Sequence, residues 1–90
     1  MRRHHYLICY DIADRKRLAR VFRACRAVGT AYQYSVFHLH LSEQDLNTLL
    51  SRLEEIIDQG EDDIRVYRLQ SPQQIETLGK GPLPEGIFGD

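Results

Sequence analysis

Two stretches with helical spacing of apolar residues, Leu18 to Val28 and Leu46 to Ile57, are each bracketed by stretches with strand spacing. A repeat of 3.6 residues and a repeat of two cannot describe the same backbone, so this alternation sets the order of elements. The first strand is the apolar run Tyr6-Leu7-Ile8-Cys9-Tyr10, which suits a central position covered on both faces, and Asp11 ends it. Ile12-Ala13 turns the chain, and Asp14 is placed to cap a helix through its side-chain oxygen. From Arg15 to Val28 the residues Leu18, Val21, Phe22, Cys25 and Val28 share one helical face. Gly29 stands where a helix ends in a left-handed residue.

Thr30 to Leu41 reads as strand, but its alternation changes phase. Tyr32, Tyr34 and Val36 share one parity, and Phe37, Leu39 and Leu41 share the other. A shift of one residue moves side chains to the opposite sheet face, so a bulge or break is expected near Ser35 to Phe37. Ser42 caps a second helix, whose stripe is Leu46, Leu49, Leu50, Leu53, Ile56 and Ile57. Gln59-Gly60 stops it, and Ile64 to Leu69 is a further strand with Ile64 and Val66 on one face and Tyr67 and Leu69 on the other.

The order is therefore β-α-β-(β)-α-β, an α+β chain. Two amphipathic helices on one face of a mainly antiparallel sheet make the ferredoxin-like plan. Pro72 breaks the last strand, and an extra short strand is expected at about 73–79, carried by Ile75 and Leu78. It is too poor in apolar residues to stand alone and needs an edge in its own chain or a partner's. One domain over 1–81, including that strand, and an irregular Gly/Pro-rich tail over 82–90 complete the expected organisation.

A chain of 90 residues buries only about 60 % of its unfolded surface, and a second copy is a common remedy. No apolar run reaches the roughly 20 residues of a membrane helix. The N-terminus leads straight into the first strand without a leader-like apolar segment, so a cytoplasmic location is expected. Cys9 and Cys25 both fall at apolar positions and read as unpaired core residues.

The net charge of −1 conceals a division. Residues 1–40 hold eight bases against Asp11 and Asp14, whereas residues 41–90 hold four bases against eleven acids. The first half suits a polyanion, although two halves attracting each other or solvated faces give the same count. Between Arg15 and Gly29 no acid interrupts Arg15, Lys16, Arg17, Arg20, Arg23 and Arg26. Like charges in such a row repel unless a polyanion is near, and arginine matches phosphate oxygens two at a time. Arg15, Lys16, Arg17, Arg20 and Arg23 are the candidate phosphate contacts.

Asp11 has two readings. It is a turn or capping residue, or it is a hard oxygen ligand for Mg²⁺ or Mn²⁺. Mg²⁺ commonly takes one or two protein carboxylates, so a pair of Asp11 side chains meeting across a twofold axis would suffice. Tyr32 and Tyr34 either stack on bases or belong to the core or an interface. His38 and His40 share a strand face, but no third ligand lies nearby in sequence for zinc. Ser35 has no evident base partner.

The stretch Tyr6-Leu7-Ile8-Cys9-Tyr10-Asp11-Ile12-Ala13-Asp14, the basic helix up to Gly29, and Gln33-Tyr34-Ser35-Val36-Phe37 together resemble CRISPR-associated protein 2. Glu61 to Leu69 is also similar to that family's later strand. The resemblance implies a ferredoxin-like homodimer whose C-terminal strand pairs with the partner's sheet. It implies that Asp11 is the metal residue, with Tyr10 before it, Arg20 as the first-helix arginine and Phe37 as the motif phenylalanine, so that Asp11, Tyr10 and Phe37 are the candidate catalytic positions. It further implies a part in acquiring new CRISPR spacers, as a scaffold that holds duplex DNA between dimers of CRISPR-associated protein 1, the integrase. Some members are described as metal-dependent endonucleases on RNA or DNA. The chain departs from the family at Ala31, where a base is common, and at its helix start, which has one acid where many members have two.

Three expectations follow from different classes. The chain is a Mg²⁺-dependent endonuclease working through Asp11, or an architectural scaffold in which Asp11 is incidental, or a ferredoxin-like regulatory module for a small ligand.

Overall fold

In the computed structural model, residues 2–75 are described. The elements run β1 (Arg3–Asp11), α1 (Arg15–Arg26), β2 (Gly29–Gln33), β3 (Val36–Ser42), α2 (Glu43–Ile56) and β4 (Asp63–Leu69). They build one sheet in the order β2-β3-β1-β4, with every neighbouring pair antiparallel. This is the ferredoxin-like arrangement expected from the sequence. β1 is central because it is the strand with apolar side chains on both faces. It pairs with β3 from Arg3↔Ser42 to Cys9↔Val36 and with β4 from His5↔Leu69 to Asp11↔Asp63.

The strand period divides β1 between two cores. Tyr6, Ile8 and Tyr10 face the helices and pack with Val21, Cys25, Phe37, Leu39, Leu49 and Leu53. Leu7 and Cys9 point the other way and join Val36, Leu69 and Ile75, with Tyr67 beside them. β4 divides likewise, with Ile64 and Val66 on the side of α1 and α2 and Tyr67 and Leu69 on the opposite side, as its alternation requires.

The phase change between residues 30 and 41 resolves into two strands. Tyr34-Ser35 turns between β2 and β3, and the pairing shifts between Ala31↔Phe37 and Gln33↔Val36, leaving Tyr32 as the extra residue. Both helix caps form as expected: Asp14 accepts from Arg17 N at 2.9 Å, and Ser42 Oγ accepts from Asp45 N at 3.1 Å.

Three boundaries differ from the sequence expectation. Helix α1 stops at Arg26 with Ala27 as its cap, so Val28 is left outside the helix and 44 % exposed. Gly29 is not a left-handed helix terminator but the first residue of β2. A Cβ there would lie 2.5 Å from Leu39 Cδ2 and 2.8 Å from the His38 carbonyl oxygen, so glycine is required for space. Gln73–Ile75, placed in the expected C-terminal strand, is a helical turn in which Ile75 N donates to the Pro72 carbonyl at 3.1 Å. The rest of that strand, the domain boundary at 81 and the 82–90 tail lie outside the described residues.

Candidate nucleic-acid interface and strand-end carboxylate

Asp11 closes β1, exposed, and shares the parity of Leu7 and Cys9, which places it on the side of the sheet away from α1 and α2. Its cross-strand partner is Asp63, whose carboxylate accepts from Arg65 Nε at 2.8 Å. Among the described residues the Asp11 carboxylate has no hydrogen-bond or ion-pair partner. The turn that follows is held by other acids. Asp14 caps the helix, and Asp62 Oδ1 accepts from Ala13 N at 2.9 Å. The capping role considered for Asp11 is thus filled by its neighbours, and the Arg65 guanidinium on Asp63 offsets the like charge across the strand pair.

Tyr10 and Phe37, expected beside Asp11 as catalytic positions, are core residues instead. Phe37 has no exposed surface and packs edge-on to Phe22 at 5.4 Å. Tyr10 is 6 % exposed, and its hydroxyl donates to the Tyr34 carbonyl, fixing the β2–β3 turn against β1. Burial pushes its phenol well above the ordinary range, so it holds its proton. The even positions of β1 face the helices, which is why Tyr10 and Asp11, adjacent in sequence, lie on opposite sides of the sheet.

Arg15, Lys16, Arg20 and Arg23 are all exposed on α1, and among the described residues none has an ion-pair partner. Lys16, Arg20 and Arg23 follow one helical line about 10 Å long at 1.5 Å per residue, enough to meet roughly three phosphates of one strand. The first turn of α1 holds no acid, so cations stand at the positive end of the helix dipole. An anion bound there relieves that repulsion.

Arg17 departs from the expected phosphate row. Its Nε donates to Asp62 Oδ2 at 2.8 Å, while one terminal nitrogen reaches Asp62 Oδ1 at 3.2 Å and Glu61 Oε1 at 3.3 Å. The Asp62 side chain has no exposed surface and also accepts from Asp58 N at 2.9 Å. Arg17 hydrogen bonding, aided by the Asp58 and Ala13 amides, holds the Asp62 carboxyl down at about 2. Arg17 is therefore a structural latch between the start of α1 and the loop before β4. The sequence signal for this contact is the acidic triplet Glu61-Asp62-Asp63, opposite in charge to the basic helix.

His38 and His40 do share a strand face, and β1 adds His5 to them. His5 lies 4.2 Å from His40 between ring centroids, with planes 5° from parallel. Among the described residues no group of three or more His, Cys, Asp or Glu side chains is arranged to hold a metal ion. Tyr34 is exposed but stacks on Phe22 at 4.5 Å, and Tyr32 meets His38 edge-on at 6.4 Å. The Ser35 carbonyl accepts from Tyr10 N at 3.1 Å. Cys9 and Cys25 are buried free thiols, pushed up to about 11 and about 12 by burial. Among the described residues no helix is long and apolar enough to cross a membrane.

Residues 4–77 match the family model described as CRISPR associated protein Cas2. A CRISPR-associated endoribonuclease Cas2 of Thermodesulfovibrio yellowstonii is 37 % identical over 83 residues, covering 91 % of each chain. The crystal structure of Streptococcus pyogenes Cas2 superposes with a TM-score of 0.73 at 32 % identity, covering 80 % of this chain and 93 % of that one. A chain of a structure described as a partial Cas6-RT-Cas1–Cas2 complex gives a TM-score of 0.65 at 30 % identity, covering 87 % of this chain and 81 % of that one. With the β-α-β-β-α-β order, the strand-end aspartate and the basic first helix all present, the chain belongs to the CRISPR associated protein Cas2 family.

Proposed function

We propose that the chain works as a homodimer that binds duplex nucleic acid during CRISPR spacer acquisition, with Asp11 supplying half of a shared divalent-metal site. The observation that carries this reading is the exposed row Arg15, Lys16, Arg20 and Arg23, without ion-pair partners among the described residues, on the helix that follows the strand Asp11 ends. The cations would hold the phosphate backbone and the carboxylate would face it.

One exposed hard oxygen donor per chain fits Mg²⁺ or Mn²⁺ only as a half-site, because these ions need further oxygen ligands. A second copy related by a twofold axis near the end of β1 would supply the twin carboxylate. When bound, such an ion polarises a phosphodiester and lowers the pKa of water. The protein's own part is to position the phosphate through Arg20 and its neighbours and to present Asp11. Tyr10 keeps its proton and donates a hydrogen bond to the Tyr34 carbonyl, so it does not act as a general base. Hydroxide then has to come from solvent, and cleavage of RNA or DNA rises with pH.

A second reading has a specific support. The similar chain within a complex described as containing Cas1 favours a scaffold that bridges Cas1 integrase dimers and DNA, with no cleavage of its own. Duplex binding measured by fluorescence anisotropy at graded salt tests the part common to both readings. The expected log–log slope is steeper than about −3, since each neutralised phosphate contributes about −0.9. A flat dependence overturns it. Asp11→Asn then separates the two: loss of Mg²⁺-dependent cleavage with binding intact supports the nuclease, and unchanged spacer acquisition supports the scaffold.

A further inference from the structure

The two exposed tyrosines of the β2–β3 hairpin leave the sheet on opposite sides. Tyr32 is the extra residue of the bulge, so its shared parity with Tyr34 does not put them on one face. Tyr32 meets His38, which stands opposite Leu7 on the side away from α1 and α2. Tyr34 lies against α1 instead, with its ring 4.5 Å from that of Phe22 and 9° from parallel. The ring is held from behind. The Tyr34 carbonyl accepts from the buried Tyr10 hydroxyl, and Phe22 is itself edge-on to the fully buried Phe37 at 5.4 Å. Tyr34 is nevertheless 53 % exposed, which leaves the ring face turned from Phe22 open. An aromatic ring fixed in advance loses little freedom when something stacks on it.

The surroundings select what stacks there. With 3.6 residues per turn, Arg15 and Arg26 lie about 20° and about 40° around α1 from Phe22, on the side turned from Leu18 and Cys25 of the core. Arg23 and Lys16 follow at about 100° and about 120°. All four are exposed and, among the described residues, without ion-pair partners. The helix itself holds no acid. An open aromatic face bordered by cations fits a planar base carried on phosphates. An apolar peptide side chain would cover the ring but bring nothing for the arginines. In a closed duplex each base face is already covered by its neighbours, so the base that fits is an unpaired one.

We propose that Tyr34, backed by Phe22, is a stacking platform for an unpaired nucleobase, so that the chain holds single-stranded nucleic acid along α1 as well as duplex. The inference rests on the phosphate-binding reading of α1 above and adds a base contact to it. Phosphate contacts are blind to the base, whereas the platform needs a π face to cover it. Stacking releases no counterions, so it adds affinity without steepening the salt dependence that the cations set.

The test compares three probes by fluorescence anisotropy at low salt: a DNA strand of about 12 nucleotides, a strand of the same length made wholly of abasic sites, and a blunt duplex. The parent chain should bind the base-bearing strand at least about fivefold more tightly than the abasic one, the lower end of what one stacked base contributes. Tyr34→Leu keeps an apolar cover on Phe22 but has no π face. It should reduce that ratio to less than about twofold, with the salt slope and the duplex affinity unchanged. Tyr34→Phe should restore the ratio, because the hydroxyl takes no part. Near-UV circular dichroism confirms the fold, and should Tyr34→Leu misfold, the two strands compared on the parent chain decide. Equal affinity for those strands overturns the platform, and duplex binding with a steep salt slope then leaves the phosphate reading standing. An undiminished ratio in a folded Tyr34→Leu places the base contact elsewhere and overturns the role of Tyr34. An equal loss of duplex affinity in that variant overturns the selection of unpaired bases. Failure to bind any of the three probes overturns the phosphate reading and the platform with it.

Discussion

Arg17 and Asp62, 45 residues apart in the chain, meet side chain to side chain with Nε 2.8 Å from Oδ2. The contact closes the start of α1 onto the loop before β4. Because Asp62 also receives the Ala13 and Asp58 amides, one buried carboxylate fixes three chain segments at the end of the sheet where Asp11 emerges.

Asp62→Ala should lower the thermal midpoint by about 5–10 °C, as expected for a chain of this size losing one or two units of hydrogen-bond free energy. The acid dependence has a definite sign. The native carboxyl sits at about 2, below its ordinary 3.8. Its stabilisation is therefore complete above about pH 4 and lost as the pH falls towards 2. Urea midpoints between pH 5 and pH 2 should fall more steeply for the parent chain than for Asp62→Asn. Parallel curves would show that the latch contributes nothing.

The cations of α1 should separate by their partners. Arg20→Ala should weaken duplex binding and make the log–log salt slope shallower by about one, the signature of a lost phosphate contact. Arg17→Ala should leave that slope unchanged while lowering stability. If Arg17→Ala changes the slope as much as Arg20→Ala, Arg17 reaches the nucleic acid after all.

Tyr10 and Phe37 should behave as packing residues. Phe37→Ala should cost about 3–5 kcal/mol in chemical denaturation, the usual range for a buried phenyl ring. Tyr10→Phe removes only the hydroxyl given to the Tyr34 carbonyl and should cost about 1 kcal/mol. Neither the salt slope nor any Mg²⁺-dependent cleavage should change in Tyr10→Phe at a temperature where the variant is folded. Lost cleavage in a folded Tyr10→Phe would return that phenol to the chemistry.

Gly29→Ala should destabilise by about 1–3 kcal/mol, the cost of forcing a methyl group into a filled core. The new Cβ would press on Leu39 Cδ2 and on the His38 carbonyl, and only the Leu39 side chain can move aside. Pairing with Leu39→Val should recover part of the loss, as read from the urea midpoint of the double variant.

The fold was legible because its signals are local. Spacing alone separates the strand Tyr6 to Tyr10 from the helix bearing Leu18, Val21 and Cys25, and Asp14 and Ser42 carry their capping role in their own chemistry. The phase change between Tyr34 and Phe37 located the β2–β3 turn for the same reason. What stayed hidden depends on register and on distant pairing. Nothing in the sequence says that β1 and β3 align so that His5 stands opposite His40. A charge row shows six bases but not that Arg17 faces a buried acid. Gly29 looked like a helix terminator because a helix does end nearby, whereas its real constraint comes from β3. Adjacency and motif group Tyr10 and Phe37 with Asp11, but they ignore the face on which a side chain lies: Tyr10 and Phe37 are buried while Asp11 is exposed.

The interleaving of two cores along β1 leaves those two surfaces free to change at different tempos. Substitutions at Tyr6, Ile8 or Tyr10 are judged by the helices, while those at Leu7 or Cys9 are judged by Val36, Leu69 and Ile75 on the other face. Loss of one residue within that strand has no such latitude. It would carry the acidic terminus inward and an aromatic ring outward in a single event, so the spacing from His5 to Asp11 is itself under constraint.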